Sequence, residues 1–508
     1  MSSWGDGYVT DMGYTSGFHR EMAPAHLAFA AGLKAQSVPD VTAPLTYCDL
    51  GCGQGVNTNL LAAAYPHIEF HANDFNPAHV VGARRLAAEA GSANVHFYED
   101  SFEAFISQPK LPEAFDIIAL HGIYSWVSPE NRAFVRQFIA KKLKPGGLVY
   151  ISYNALPGWS ALAPIRRLMQ LHNTGGGSTA ARLQPALDFV QAMHAADAGY
   201  FRRNPGAKAW LDKMAKSPPA YLAHEYFNEN WTLFYHADVV REVDEAKLNF
   251  IGTATVIDTL DAFNVTAAQN ALLAKIADPV ARETARDYAS CQQFRRDLFV
   301  KGATPLSRTE ADAQMGAARF ALTRPRAEIE LNIMGALGVK SLSKDIADPI
   351  ADALAQGPKT ADELMLDPRI AANGRGRLIP TLTALMGTSQ VMAALPEAGE
   401  DERRVRTDAF NAAVLRRARV SADLTYLASP LGGGFGLERI VLLFVLAHVE
   451  RHDDPGAFVW EILKPQGQRM TKDGAVLDSD EDNIAELRIR NEQFVNRLLP
   501  MLRGLKII

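Results

Sequence analysis

Between Leu45 and Asn154 the chain alternates five short β-rich runs with helical stretches, a rhythm that commits it to a parallel sheet covered by helices on both faces. The runs are TYCDL (46–50), IEFHA (68–72), VHFYE (95–99), FDIIAL (115–120) and GLVYISY (147–153). Their starts lie about 20 to 30 residues apart, which leaves room for one crossover helix at each step. A doubly wound α/β domain follows. The rhythm breaks at Leu156, where the chain becomes helical and loop-like, with a Gly/Ser tract at 174–178 and an aromatic cluster at 221–235. A helix over 237–245 and two strand-like runs, 247–258 and 293–300, come next. They are expected to complete a seven-stranded sheet, with 156–235 inserted over its active face.

The remainder reads as a mostly helical second half. Within it a helix over 350–355, a turn at Gly357-Pro358, a capping-box spacing from Thr360 to Glu363 and a helix at about 377–389 lead into the apolar strand VMAAL. An acidic, exposed loop over 396–402 is expected to follow, and the whole suggests a winged-helix-like module. The Gly432-Gly-Gly-Phe-Gly436 loop reads as a connection. The division expected is 1–40 as an N-terminal lid, 41–155 as the α/β core, 156–235 as the inserted helical region and 236–302 as completion of the core. A regulatory, winged-helix-like region (303–400) and a helical domain (401–508) close the chain.

Composition excludes several function classes. A chain of 508 residues that is 48% hydrophobic and 21% charged is an ordinary globular protein. Its longest apolar run, 440–447, falls short of the roughly 20 residues a membrane helix needs. The first 30 residues lack a basic start followed by an apolar block, so a cytoplasmic protein without membrane insertion is expected. Three cysteines make no disulfide framework, and no Cys/His set has zinc spacing, so no metal is expected. A net charge of −5 gives no general attraction to nucleic acid, and the helix at 377–389 offers phosphates little beyond Arg375 and Arg377. Nucleic acid is therefore not the expected partner.

The chemistry centres on Asp49-Leu-Gly-Cys-Gly-Gln-Gly55, between the first strand and a helix over 56–64. Gly51, Gly53 and Gly55 permit a tight turn and a close ligand. A dinucleotide fingerprint, G-x-G-x-x-G, fails because Val56 holds its sixth position. The acid two residues before the first glycine would repel a pyrophosphate but suits a cation. This D-x-G-x-G-x-G form resembles motif I of the class I S-adenosylmethionine (SAM) methyltransferases, whose acid lies near the methionine ammonium. Asp74, 19 residues after Gly55 and just past the second strand, can accept both ribose hydroxyls, and Asp100, just past the third, the adenine amine. Asn76 and Ser101, beside these two acids, are counted with the cofactor residues. Cys48 and Cys52 flank Asp49 inside a strand and a turn, where small-residue packing accounts for them.

The fourth strand is followed by His121-Gly-Ile-Tyr-Ser-Trp-Val127 and the fifth by Tyr153-Asn-Ala-Leu-Pro-Gly-Trp159. Tyr124, Trp126, Tyr153 and Trp159 offer aromatic faces to a cation, and His121 or Tyr153 can accept the nucleophile's proton. HGIYSWVSPENR, SYNALPGW, AHEYFNENW and QFRRDLFV together resemble the bacterial SAM-dependent methyltransferases that carry a methyltransferase regulatory domain, a group that includes rickettsial protein-lysine methyltransferases. The resemblance covers about residues 5–300 with specific motifs. It implies that the N-terminal GYVTDMGYTSGFHREMAP segment, with Tyr14, folds over the cofactor, and that the insertion helps form a substrate cleft. Arg20-Glu-Met-Ala-Pro24 stands where many relatives have a Thr-His-Pro motif. His224-Glu225-Tyr226 supplies an acid for a substrate ammonium.

The leading expectation is a SAM-dependent methyltransferase, with S-adenosylhomocysteine as product, acting on protein lysine. The alternatives are a small-molecule methyltransferase whose C-terminal half makes a homodimer, and a non-catalytic SAM-binding partner protein. No Asn/Asp-Pro-Pro-Tyr motif follows the fourth strand, and Cys291 in Ser-Cys-Gln is unlike a cytosine-attacking nucleophile.

Overall fold

A computed structural model of the chain describes residues 5, 7–9, 17–172 and 178–508. Its centre is a seven-stranded sheet: β1 (Leu45–Leu50), β2 (Ile68–Asp74), β3 (Val95–Glu99), β4 (Phe115–Leu120), β5 (Leu143–Asn154), β6 (Leu248–Thr253) and β7 (Phe294–Lys301). The spatial order is β3-β2-β1-β4-β5-β7-β6. The first five strands are parallel, while β7 runs antiparallel between β5 and β6. Reversal of strand order beside β1 opens a crevice at the carboxyl ends, where open α/β sheets bind ligands.

Helix Val56–Ala64 follows the glycine turn with all nine residues buried. A helix buried on every side needs cover on every side. Leu61, Ala62 and Ala64 pack into the sheet-side core, and Val56, Leu60 and Ala63 into the core of the C-terminal half. The glycine loop supplies part of that outer cover and is more than a connection. Tyr426–Ser429 and Gly433–Gly436 form a hairpin whose turn carbonyl, at Gly432, accepts from the Tyr65 hydroxyl at 2.7 Å. A Cβ at Gly434 would stand 2.6 Å from a Leu60 methyl, so any larger residue would have to displace that side chain.

The segment after Asn154 forms helices Ala163–Leu171, Thr179–Ala195, Gly199–Arg203, Gly206–Met214 and Pro219–Phe227 around a core of their own that includes Trp159, Met169 and Leu187. Residues 174–177 of the Gly/Ser tract lie outside the described residues. In the second half, helices Lys344–Ala355 and Arg375–Gly387 pack with a three-stranded antiparallel sheet of Lys359–Thr360, Arg319–Leu322 and Val391–Ala394. The capping box forms, with Glu363 N donating to Thr360 Oγ1 at 3.1 Å. The chain passes into helix Glu400–Ala418, and the acids expected in a loop, Glu400, Asp401 and Glu402, occupy its first turn. There they favour the positive end of the helix dipole. Among the described residues no helix is long and apolar enough to cross a membrane.

Candidate cofactor and acceptor site

One cavity of about 590 Å³ opens at the carboxyl ends of β1 to β5 and runs under the insertion. Its volume suits a nucleoside-sized ligand with an acceptor group beside it. Asp49, Asp74 and Asp100 all line it, together with Gly51, Gly53, Gly55 and Ser101. Strand pairing sets this arrangement: Asp49 and Ala72 are register partners, as are Asp74 and Glu99, so the three strands end side by side.

The glycines answer different demands. At Gly55 a Cβ would meet Ala83 at 2.5 Å and Phe97 at 2.8 Å, so this glycine seats the turn against its own core. At Gly53, in the left-handed region with φ +55°, a Cβ would meet nothing within 4 Å, and its open side belongs to the cavity. Gly53 N donates to Asp74 Oδ2 at 2.9 Å and Asn76 N to Asp74 Oδ1 at 2.9 Å, which fixes the carboxylate at the rim. Asp49 is buried and accepts from Thr58 Oγ1 at 2.6 Å. Burial pushes its pKa up to about 6, with the Thr58 bond opposing and Asp74 reinforcing the shift. A ligand cation here would restore the ionised form. Asp100 accepts from Gln108 Nε2 at 2.7 Å, and Ser101 caps the short helix Phe102–Phe105.

Beyond this rim the cavity wall changes character. Trp126, Trp159, Trp210, Tyr221, His224 and Glu225 line it. Trp159 meets Trp210 edge-on at 5.4 Å and Trp231 at 5.3 Å. The loop carrying Trp159 is held by the turn that leads into β7: Gly158 N donates to Gln292 O at 3.0 Å, and a Cβ there would lie 2.4 Å from that oxygen. Pro219, at the first position of its helix, starts the turn that presents Tyr221 and, four residues on, Glu225 from one face. Burial pushes Glu225 up to about 7, while Arg166 and Lys213 pull the other way. Arg166 is buried beneath this wall, 4.6 Å over the Trp231 ring and 5.9 Å from that of Trp126, and its Nε donates to Glu225 O at 3.2 Å.

A profile described as "Methyltransferase domain" matches residues 42–183, and one described as "Predicted methyltransferase regulatory domain" matches 218–301. An uncharacterised protein of Synechocystis is 42% identical over 507 residues, which span 99% of this chain and all of that one. The chain is a SAM-dependent methyltransferase of the family that carries this regulatory domain. An uncharacterised Rickettsia prowazekii protein is 27% identical over 289 residues, 54% of this methyltransferase and 49% of the relative. The fold is also that of PKMT2 from Rickettsia typhi in complex with AdoHcy, at 18% identity and TM-score 0.68 over 95% of this chain and 98% of that one. The span matching the regulatory domain is no separate body in this methyltransferase. It supplies β6, β7, Tyr221, Glu225 and Arg296 to the sheet and cavity.

Several residues expected at the site lie elsewhere. Tyr153 is fully buried and donates to Asp297 Oδ2 at 2.6 Å, beside His236 and Arg295, so it is neither a proton acceptor in the cavity nor part of its wall. The cause is strand alternation: Asn154 lines the site, so Tyr153, its neighbour on the strand, faces away. Tyr124 is buried against Phe234 and donates to Glu242. Tyr226 is buried behind Trp210, accepting from its Nε1 at 2.7 Å, and does not line the cavity. Asn76 caps helix Pro77–Glu89 and supports Asp74 without lining the cavity. Tyr14 lies outside the described residues.

His121 lines the cavity, and its Nδ1 is 2.7 Å from the Tyr150 hydroxyl. Burial, then His19 and Arg296, hold its pKa well below the usual histidine range, so it is a neutral ring at physiological pH. The sequence reading missed its partner His19, which stacks on it at 3.8 Å. It also missed Trp210, Tyr221, Arg296 and Asn154, whose buried Nδ2 has no hydrogen-bond partner among the described residues. Helical spacing from Glu225 could have found Tyr221, and alternation along SYN could have found Asn154.

Proposed function

We propose that this methyltransferase transfers the methyl group of SAM to the side-chain amine of a protein lysine. The observation that carries the proposal is the continuity of one cavity from three strand-end carboxylates to a half-buried carboxylate set among tryptophans. The first end fits SAM: acids for its ammonium, ribose and adenine amine, and an open glycine face for close approach. When bound, SAM supplies an electrophilic methyl on a sulfonium.

The other end fits a lysine. A lysine amine, with an ordinary pKa of about 10.4, arrives protonated and must lose a proton before it can attack. Glu225, at about 7, is poised to take that proton near neutrality. The faces of Trp126 and Trp159 attract the incoming cation, each worth roughly 0.5–2 kcal/mol. Asn154 Nδ2 offers the cavity a further donor. Methyl transfer needs little covalent help, so alignment and exclusion of water by the insertion carry the rate. The resemblance to rickettsial protein-lysine methyltransferases supports the same acceptor.

The test is incubation of the purified chain with methyl-labelled SAM and a fractionated bacterial lysate, followed by acid hydrolysis of the labelled fraction. Label recovered as methyl-lysine is the expected result. Label confined to RNA or to small molecules overturns the acceptor assignment.

A further inference from the structure

We propose that Glu69, His71 and His96 form a binding site for a divalent transition-metal ion, with zinc the best chemical match. One ligand atom from each side chain lies within 4.8 Å of the others. Two imidazole nitrogens and one carboxylate oxygen are a ligand set that zinc takes in tetrahedral coordination, with solvent in the fourth position. Donors bound at about 2.0–2.1 Å in that geometry stand roughly 3.3 Å apart, inside the observed spread.

The placement follows from strand pairing. His71 on β2 and His96 on β3 are register partners, and Glu69, two residues before His71, falls on the same face. The two rings stand 4.9 Å apart. Glu69 already contacts the Nε2 of His96, and both side chains are more than two-fifths exposed, free to open around an ion. His71 is the fixed element. It is buried, its Nδ1 lies 3.0 Å from the Tyr98 hydroxyl, and the Phe115 ring meets it edge-on at 5.6 Å. A hydrogen-bonded outer partner of this kind orients a metal-bound histidine. Because β3 is the edge strand, solvent reaches the cluster from the side. The sequence holds the signal in alternating polar positions, IEFHA beside VHFYE, which no Cys/His spacing rule would flag. None of the three lines the methyl-transfer cavity, so the bound ion would clip the edge strand apart from it.

Equilibrium dialysis of the metal-free full-length chain against Zn²⁺, with Mg²⁺ as control, tests the proposal. The expected result is one zinc per chain at micromolar free metal, no magnesium, and a raised melting midpoint with zinc. Glu69→Gln and His96→Ala, chosen because both positions are partly exposed, should each weaken that equivalent by roughly tenfold or more while SAM affinity stays unchanged. Failure of the wild-type chain to bind zinc overturns the site, as does an equivalent that survives in both variants.

Discussion

Asp49, Asp74 and Asp100 reach the cavity from the ends of three neighbouring strands, whereas Trp126, Trp159, Trp210, Tyr221 and Glu225 converge on it from a loop after β4, a loop after β5 and two helices of the insertion. The first wall is positioned by backbone pairing, with each acid at or just past a strand end. The second is positioned by side-chain packing, through the tryptophan edges and the buried Arg166. Pairing leaves little room for variation, because a one-residue slip turns every side chain to the wrong face. Packing tolerates exchange of one apolar group for another of similar volume. A chain built this way can keep its methyl donor while changing what it methylates.

The comparison breaks most visibly at Asp74. Replacement by alanine removes an anion able to make two charge-assisted hydrogen bonds, each worth about 1.5–3 kcal/mol, so calorimetry should show SAM binding weakened by roughly 10³-fold with the circular dichroism unchanged. Unaltered affinity would show that the strand-end wall does not hold the donor. Glu225→Gln should lower kcat by about 10²-fold while SAM affinity moves by less than about twofold. An equal loss in both quantities would mean that the two walls are one unit.

Titration separates the walls again. SAM affinity should fall by about tenfold per pH unit below about 6, as Asp49 becomes protonated and loses its attraction for the ammonium. The rate at saturating SAM should fall below about pH 7, as Glu225 gains the proton it needs to accept. In the Glu225→Gln variant the second step should vanish and the first remain. The smallest effect is expected at Arg20, whose guanidinium donates to the Met386 and Gly387 carbonyls and ties the chain next to His19 to the second half. Arg20→Ala should weaken SAM binding only a few-fold, since these bonds act on the donor only through the placing of the neighbouring His19.

The strand-end wall was readable because its determinants are local. The runs at 95–99 and 115–120 match β3 and β4 residue for residue, and the glycine turn announces itself within seven positions. The acceptor wall required knowing which side of each element faces inward. His224-Glu225-Tyr226 looks like one cluster in a string of letters, yet consecutive residues of a helix point about 100° apart, and Tyr226 turns toward Trp210. Tyr153 misled for the corresponding reason in a strand. Trp210 lies 51 residues from Trp159, and no pattern along the chain foretells that their rings touch.

Helix Val56–Ala64, sandwiched between two cores, has a consequence for how such a protein can be dissected or inherited. A fragment ending near residue 303 would keep every strand-end acid yet lay Val56, Leu60 and Ala63 bare to water, directly behind the turn that grips the donor. Such a piece is a poor candidate for a soluble minimal enzyme. The two halves of the gene have good physical reason to travel as a single unit.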